Sequence, residues 1–406
     1  MDPTLATAAQ ALARGDALGV LRHVALREDA PALAMQGIAM AQLGDHPRAR
    51  GLLQRAIRRF GPRARAARAR CVLALEEIAL AMRDLDRPDQ VLDRAIEVLD
   101  AGGDSLNATH GRVIQVRRLL LLGRLADARA TLARLDGCLL PPALAARASL
   151  SAAELALRAI RCAPAREALE RAAAAAQRAG IASLAAEVEA VRSSLRQPVA
   201  RRGADATGQP LHLAEVEALF ASGLLVVDAC RLRVRVADAW LPLARRPVLF
   251  ALAHALAAAW PADASRAALI AAAFGLRGID DTHRARLRVE IGRLRTLLAP
   301  WAALHATRAG YALRPHDGRG VAVLLPPADG PASALLAVLA DGEAWSTASL
   351  AVALGSSRRS VQRTLAGLLA DGQVRAIGHT RSRRWLAPPA AGFATTLLLP
   401  ALMQDD

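Results

Sequence analysis

Lysine is absent from this chain of 406 residues, so all 53 of its strongly basic side chains are arginines. The chain therefore has neither the phosphate-binding lysine of a P-loop nor a lysine that could form a Schiff base. Aromatic residues are also scarce, and Phe60 is the only one before position 220. These absences exclude P-loop nucleotide hydrolysis and lysine-based covalent catalysis.

Residues typical of metal sites and catalytic sites are few and scattered. The four cysteines have no C-x-x-C spacing and no nearby histidine at ligand spacing, which predicts buried free thiols; they are Cys71, Cys138, Cys162 and Cys230. The acidic pairs Glu76-Glu77 and Asp280-Asp281 are interpreted as a solvated helix face and a helix start. The sequence thus predicts no catalytic residues, no metal and no cofactor, although an active site assembled from distant residues would leave no local pattern.

Long uncharged apolar runs are absent as well. No segment of about twenty such residues exists, and Met1-Asp2-Pro3 opens an alanine-rich helical pattern rather than an export signal. We therefore expect a cytoplasmic protein with no membrane contact. The net charge of +16 favours polyanionic partners, but the arginines are spread along the whole chain, so charge alone does not locate the interface.

Residues 1–196 have a helical pattern throughout, rich in Ala, Leu, Arg and Glu. Turn signals recur about every forty residues, at 43–45, 84–86, 122–124 and 161–163, and similar helical phrases follow them. The pattern resembles tetratricopeptide-type repeats, which would form a solenoid with a concave surface for a partner or effector. A plain alanine-rich helical bundle is the alternative.

Two stretches rich in Pro, Gly and small polar residues predict linkers at 197–210 and 317–330. The second contains the apolar run Val321–Leu325, which could pair as a strand with either neighbouring domain. All five tryptophans, the only tyrosine and four of the five phenylalanines follow the first linker. This change in composition indicates that a different fold class begins near residue 211.

Within residues 211–316, the segment 282–298 predicts a helix with one buried stripe, formed by Leu287, Ile291, Leu294 and Leu298. The same segment contains five arginines and a single acidic residue, so its exposed side is net positive. A short hairpin is predicted at 305–313. Taken alone, such a helix would be interpreted as a basic face exposed to solvent. The sequence on either side of it favours a helix that reads DNA.

That neighbourhood resembles the DNA-binding domain of OmpR/PhoB-type response regulators. The small sheet would come from 224–240 and the two preceding helices from 248–260 and 264–274. Ala273-Phe274-Gly275 matches the family's V-W-G, and the T-R-x-G-Y-x-L phrase at 307–313 matches its wing, one residue shorter than usual.

The resemblance implies a winged-helix domain in which Arg288 and Arg293 lie over the major groove and Arg286 and Arg295 lie near phosphates, with Arg284 at the margin. Arg308 would lie in or beside the minor groove. Such roles suit arginine, because its guanidinium donates two hydrogen bonds to guanine and is attracted to narrow minor grooves. The chain has helices where response regulators carry a phosphorylatable receiver, so the resemblance implies control by a bound partner or effector.

Residues 331–406 predict three more helices and two strands. The phrase L-A-x-x-L-G-S-S-x-x-S-V-Q-R-x-L resembles the winged helix-turn-helix of MarR- and DeoR-type repressors. The resemblance implies DNA contacts from the third helix and the wing tip, by Ser357, Arg358, Arg359, Gln362, Arg363, Arg381 and Arg383. A degenerate winged helix used for protein contact is the alternative. The apolar tail 392–400 could add an edge strand.

The sequence as a whole predicts a multidomain chain, with an all-α helical-repeat domain (1–196) followed by two small α+β winged-helix domains (211–316 and 331–406). We expect a bacterial-type transcription regulator that binds double-stranded DNA, and whether it forms a homodimer stays open. The alternatives are a helical-repeat adaptor whose winged helices bind proteins, an RNA-binding protein, and an enzyme with scattered catalytic residues.

Overall fold

The computed structural model describes residues 2–13, 15–82, 84–85, 88–203, 205, 207–275 and 281–388, apart from the side chains of Ala13, Ser183, Asp281 and Arg381. The chain divides into two compact units. We call residues 1–155 and 164–192 the helical unit, and residues 156–163 and 193–388 the mixed unit. The apolar tail expected to form an edge strand lies outside the described residues.

The N-terminal half of the chain consists of α-helices connected by short turns. The eleven helices found before residue 195 are α1 (Pro3–Ala13), α2 (Ala17–Val24), α3 (Ala30–Gln42), α4 (His46–Arg59), α5 (Arg65–Ala81), α6 (Asp89–Ala101), α7 (Ser105–Leu121), α8 (Leu125–Ala133), α9 (Pro142–Arg158), α10 (Cys162–Ala179) and α11 (Ala182–Ser194). The turns predicted at 43–45, 84–86 and 122–124 each lie between two of these helices, whereas α10 begins within the stretch 161–163. Aspartates begin several helices because each carboxylate accepts a hydrogen bond from a free backbone N–H of the first turn, as Asp45 does from Arg48 at 3.1 Å.

Consecutive helices of the helical unit pack closely through small side chains. Helix α3 packs on α4, α5 on α6, and α7 on α8. Ala39, Ala49 and Ala56 have no solvent exposure, and a Cβ atom at Gly37 would lie 2.7 Å from the Leu53 side chain. The small residues therefore permit a helix spacing that larger side chains would prevent. Whether the pairs form a tetratricopeptide-type solenoid stays a prediction.

Glu76 and Glu77 correct the expectation of a solvated helix face, because both side chains are fully buried in α5. Arg147 NH1 lies 2.5 Å from Glu77 Oε1, and His110 Nε2 lies 3.2 Å from Glu77 Oε2. Burial raises the pKa of Glu77, but the charges of Arg147, His110 and Arg117 outweigh it and lower the pKa to about 2. Sequence periodicity could not reveal this burial, since the compensating arginines lie on other helices.

The mixed unit combines short strands with seven further helices. Its strands are β1 (Ala200–Arg202), β2 (Gln209–Leu211), β3 (Leu225–Asp228), β4 (Arg233–Val236), β5 (Ala239–Pro242), β6 (Ala264–Ser265), β7 (Ala302–Ala306), β8 (Gly310–Pro315), β9 (Val321–Leu325), β10 (Arg375–Ile377) and β11 (Arg384–Leu386). Its helices are α12 (Leu213–Ala221), α13 (Pro247–Ala259), α14 (Arg266–Phe274), α15 (Asp281–Leu298), α16 (Pro331–Leu339), α17 (Thr347–Ala353) and α18 (Arg358–Ala370). Helix α12 was not predicted from the sequence.

Six strands form one mixed sheet in the order β2-β1-β9-β3-β4-β5. Strands β3 and β9 are parallel, with Val226 opposite Ala322, and the other neighbours are antiparallel. This sheet corrects the linker predicted at 197–210, which contains β1 and most of β2, because strands of three residues are too short to show an alternating pattern. The stretch 317–330 also belongs to the sheet and is not a linker, because its apolar run Val321–Leu325 forms β9 and pairs with β1 and β3, which lie far away in sequence.

Alternating side chains of this sheet belong to two hydrophobic cores. Leu225, Val227 and Val323 pack in one core with residues of α13 and α15. Val226 and Leu324 pack in the other, which also holds Phe220 of α12 and residues of β1 and β2. The sheet is therefore covered on both faces, and one face supports α15.

Helices α13, α14 and α15 are followed by the hairpin β7-β8, and β6 extends this hairpin to a three-stranded sheet. Gly310 is required for this arrangement, because a Cβ atom there would lie 1.9 Å from the carbonyl oxygen of Ala264 in β6. Gly275 ends α14 with a φ of 68°, a conformation that glycine adopts without strain.

Helices α16, α17 and α18 and the hairpin β10-β11 follow one another along the remaining described chain. Their core of Leu339, Leu350, Leu365 and Trp385 also includes Leu232 and the half-buried Phe250 of α13. This part of the chain thus packs against the sheet region that precedes it within the mixed unit.

The cysteines are unbonded thiols, but only two of them are buried. Cys71 and Cys162 are buried, Cys230 is half-buried, and Cys138 is exposed. Cys138 corrects the expectation of four buried thiols, because it follows the turn after α8. None of the helices in the described residues is long and apolar enough to cross a membrane.

Candidate nucleic-acid interface

Helix α15 presents a fully buried apolar stripe and an exposed basic arc, as the sequence predicts. Leu287, Ile291, Leu294 and Leu298 are each about 1% exposed or less and pack into the core shared with α13 and the sheet. The five arginines of the helix are all exposed; they are Arg284, Arg286, Arg288, Arg293 and Arg295. The 3.6-residue period therefore orients the guanidinium groups away from the core.

Three of these arginines are oriented by neighbours. The guanidinium of Arg286 lies 4.4 Å from the centre of the Phe274 ring, and Arg295 Nε donates to the carbonyl oxygen of Leu304 at 3.1 Å. Arg293 NH1 lies 2.8 Å from Glu290 Oε1, although 64% of the Arg293 side chain stays exposed. The Glu290 carboxylate partly neutralises Arg293, so a base contact by Arg293 would require this exposed ion pair to open.

Arg288 differs from these three. It is exposed and has no hydrogen-bond, ion-pair or ring partner among the described residues. Its guanidinium can therefore reach an external acceptor without breaking an internal contact.

The hairpin β7-β8 places Arg308 at an exposed turn close to α14. Thr307 N donates to the carbonyl oxygen of Gly310 at 3.0 Å, and Gly310 N donates to Thr307 Oγ1 at 3.0 Å. These bonds close a short loop around Arg308, whose side chain is exposed.

Arg266, at the start of α14, fixes this loop and was not identified from the sequence. Its NH1 and NH2 groups donate to the carbonyl oxygens of Arg308 and Thr307 at 2.8 and 2.9 Å. Its guanidinium also lies 5.8 Å from the centre of the Tyr311 ring. No sequence signal marks this role, because the residues that it joins are about forty positions apart.

A groove of about 620 Å³ runs beside the basic arc, between the N-terminal end of α13 and α15. Arg246, Val248, Glu290, Arg293 and Leu297 are among its lining residues. The Arg293–Glu290 ion pair thus forms part of a concave surface as well as part of the exposed arc.

The second predicted DNA-reading helix, α18, has the same two-sided character. Val361, Leu365 and Leu368 are buried, and Ser357 caps the helix by accepting a hydrogen bond from Ser360 N at 3.1 Å. The predicted contact residues on this helix are all exposed; they are Ser357, Arg358, Arg359, Gln362 and Arg363. The three arginines have no ion-pair partner among the described residues.

The hairpin β10-β11 lies next in the chain and carries Arg383. The Arg383 guanidinium lies 4.6 Å from the centre of the Trp385 ring, whose Nε1 donates to Thr347 Oγ1 at 2.9 Å. Trp385 therefore connects the hairpin to α17 and supports Arg383. The Arg381 side chain is outside the described residues.

Among the described residues, no group of three or more His, Cys, Asp or Glu side chains is placed so that it could hold a metal ion. Comparison with known proteins finds no matching family model, no matching curated protein and no matching solved structure.

Proposed function

We propose that this chain is a DNA-binding transcription regulator whose mixed unit contains two winged helices and whose helical unit receives a partner or effector. The observation that carries the proposal is the exposed arginine arc of α15, followed in the chain by a hairpin loop that exposes Arg308. A helix packed by a complete apolar stripe can present its basic face to a major groove without losing its core. The adjacent loop carries an arginine suited to the minor groove.

The internal contacts of the arginines favour nucleic acid over a simple solvated face. Arg266 donates from both terminal nitrogens of its guanidinium to the backbone around Arg308, and the Arg286 guanidinium stacks on Phe274. A solvated basic surface requires no such ordering, because side-chain entropy favours mobile arginines. Oriented guanidinium groups, by contrast, lose less entropy when they bind phosphates and base edges.

The second set of arginines supports the same function independently. Arg358, Arg359 and Arg363 extend from the exposed side of α18, and Arg383 follows on the hairpin. Two such surfaces in one compact unit would suit a long site read in successive grooves. The adaptor alternative would use these surfaces for acidic proteins instead.

The test is binding of the full chain to random duplex DNA and to the DNA upstream of its own coding sequence, across a series of salt concentrations. We expect salt-sensitive affinity that is greater for the upstream DNA. Arg288→Ala and Arg308→Ala should each weaken that preferred binding by about 1–3 kcal/mol, as expected for a lost base contact.

Arg58→Ala is the matched control, since Arg58 is an exposed helical arginine of the helical unit. It removes the same charge and should leave the affinity nearly unchanged. Weak binding that is indifferent to salt and to all three substitutions would contradict the proposal and favour the adaptor.

A further inference from the structure

Three helices of the helical unit enclose a polar groove of about 280 Å³. One face each of α6, α7 and α8 lines it, together with the residues that flank α8. Most of the lining side chains are charged or can form hydrogen bonds. Its volume is close to the lower end of the roughly 300–1,000 Å³ range of small-molecule pockets. The groove therefore suits a small ligand and not an extended peptide.

Most charges of the groove neutralise one another. Arg118 Nε lies 3.1 Å from Asp89 Oδ1, and Arg124 bridges Asp89 and Asp127 at 2.5 and 2.7 Å. Arg118 is nearly buried and also donates to the carbonyl oxygen of Leu85 at 3.1 Å. Each of these four side chains therefore already has an ion-pair partner within the groove.

Two charged groups of the groove lack such a partner. Asp93 accepts one hydrogen bond, from Gln115 Nε2 at 2.7 Å, and has no ion pair within the described parts of the chain. Burial, together with the charges of Asp89 and Glu97, raises the pKa of Asp93, and the positive charges of Arg124 and Arg118 offset this only in part. Its surroundings thus favour an incoming cation that would compensate its negative charge.

Arg134 supplies the opposite charge. It lines the same groove directly after the last residue of α8 and is exposed, and its guanidinium has no partner within the described residues. A divalent metal ion would meet only one uncompensated carboxylate here, and a simple anion would leave Asp93 unpaired. A ligand with both charges would compensate both groups.

We propose that this groove binds a small dipolar ligand, whose ammonium group pairs with Asp93 and whose carboxylate pairs with Arg134. Free α-amino acids are the smallest common class that carries both charges. The inference extends the proposed function, because it assigns the chemistry of an effector to the helical unit.

The test is calorimetric titration of the full chain, without DNA, with each of the twenty common L-amino acids. At least one should bind, and its N-acetyl and carboxamide derivatives, which each lack one charge, should bind more than about tenfold more weakly. Asp93→Asn and Arg134→Gln should each weaken binding by a similar factor. Circular dichroism would verify that both variants fold.

Asp136→Asn and Arg129→Gln are matched controls, since both positions are exposed and neither lines the groove. They should leave the affinity unchanged. Absence of binding by all twenty amino acids, or binding that survives Asp93→Asn and Arg134→Gln, would overturn the inference. DNA binding, measured separately on the same protein, would then still test the proposed function by itself.

Discussion

Glu77 is a carboxylate whose charge is compensated entirely inside the protein. It has no solvent exposure and faces Arg147, His110 and Arg117. Removal of one partner from a buried ion pair leaves an uncompensated charge, which typically costs about 3–5 kcal/mol. We therefore expect Glu77→Gln to lower the free energy of unfolding by about that amount, measured by denaturant titration. Glu97→Gln, at an exposed position of α6, should change it by less than about 0.5 kcal/mol.

The same residue predicts an acid-sensitive stability. The pKa of Glu77 is about 2 in the folded protein and 4.5 in the unfolded reference. A lowered pKa in the folded state stabilises the protein at pH values above the unfolded pKa, and this contribution is lost as the pH falls from about 4.5 towards about 2. The difference in stability between the wild type and Glu77→Gln should therefore shrink over that range, and a constant difference would contradict the assignment.

Cysteine reactivity should distinguish the four thiols. Cys138 is exposed, whereas burial raises the pKa of Cys71 to about 12. Because the thiolate is the reactive species, we expect Cys138 to be the thiol that a disulfide reagent modifies fastest in the native protein. Cys138→Ser should abolish this fast phase, while Cys71→Ser should leave it intact. A fast phase that survives Cys138→Ser would show that another thiol is accessible.

At the scale of single elements, the β7-β8 loop depends on a side chain from another element. Arg266→Ala removes two hydrogen bonds to the backbone around Arg308, each with a net contribution of about 0.5–1.5 kcal/mol. We expect faster amide hydrogen exchange at Gly310, whose N–H donates within this loop. Under the proposed function, DNA affinity should also fall, because Arg308 would no longer be held in position.

A double-mutant cycle separates positioning from direct contact. If Arg266 acts through Arg308, the combined variant should bind DNA about as weakly as Arg308→Ala alone. Full additivity of the two losses would mean that Arg266 contacts DNA by itself. Unchanged hydrogen exchange at Gly310 would contradict the positioning role whatever the DNA result.

At the scale of the whole molecule, the mixed unit is larger than the domain that the sequence delimits at 211–316. Strand β9 lies between β1 and β3, so a fragment 211–316 would lose β1 and β9 and expose the edge of β3. Val226, which is buried against Ala322 and Leu324, would then face water. An exposed apolar strand edge promotes aggregation.

We therefore expect fragment 211–316 to aggregate and fragment 193–388, which contains every strand of the mixed unit, to remain monodisperse. Size-exclusion chromatography and circular dichroism would compare the two. A well-folded, monodisperse 211–316 fragment would show that β1 and β9 are dispensable for the fold.

Features that depend on local periodicity were predictable from the order of the residues alone. The helices of the N-terminal half, the turns between them and the buried stripe of α15 follow from residues within a few turns of one another. The exposure of Arg288 and of Arg358 follows from the same period, because a helix that buries one face must expose the other. Helix α15 and the β7-β8 hairpin were predictable from local pattern, whereas α13 and α14 were expected only from the family resemblance.

Features that join distant residues become visible only in the folded chain. Strands β1 and β9 pair across more than a hundred positions, and Arg266 reaches the loop at Arg308 from the start of another helix. Glu76 and Glu77 are buried because arginines of other helices compensate them, although the same pair on an isolated helix would remain in water. Hydrogen bonds and ion pairs between distant segments leave no periodic pattern in either partner, so their positions emerge only when the chain is folded.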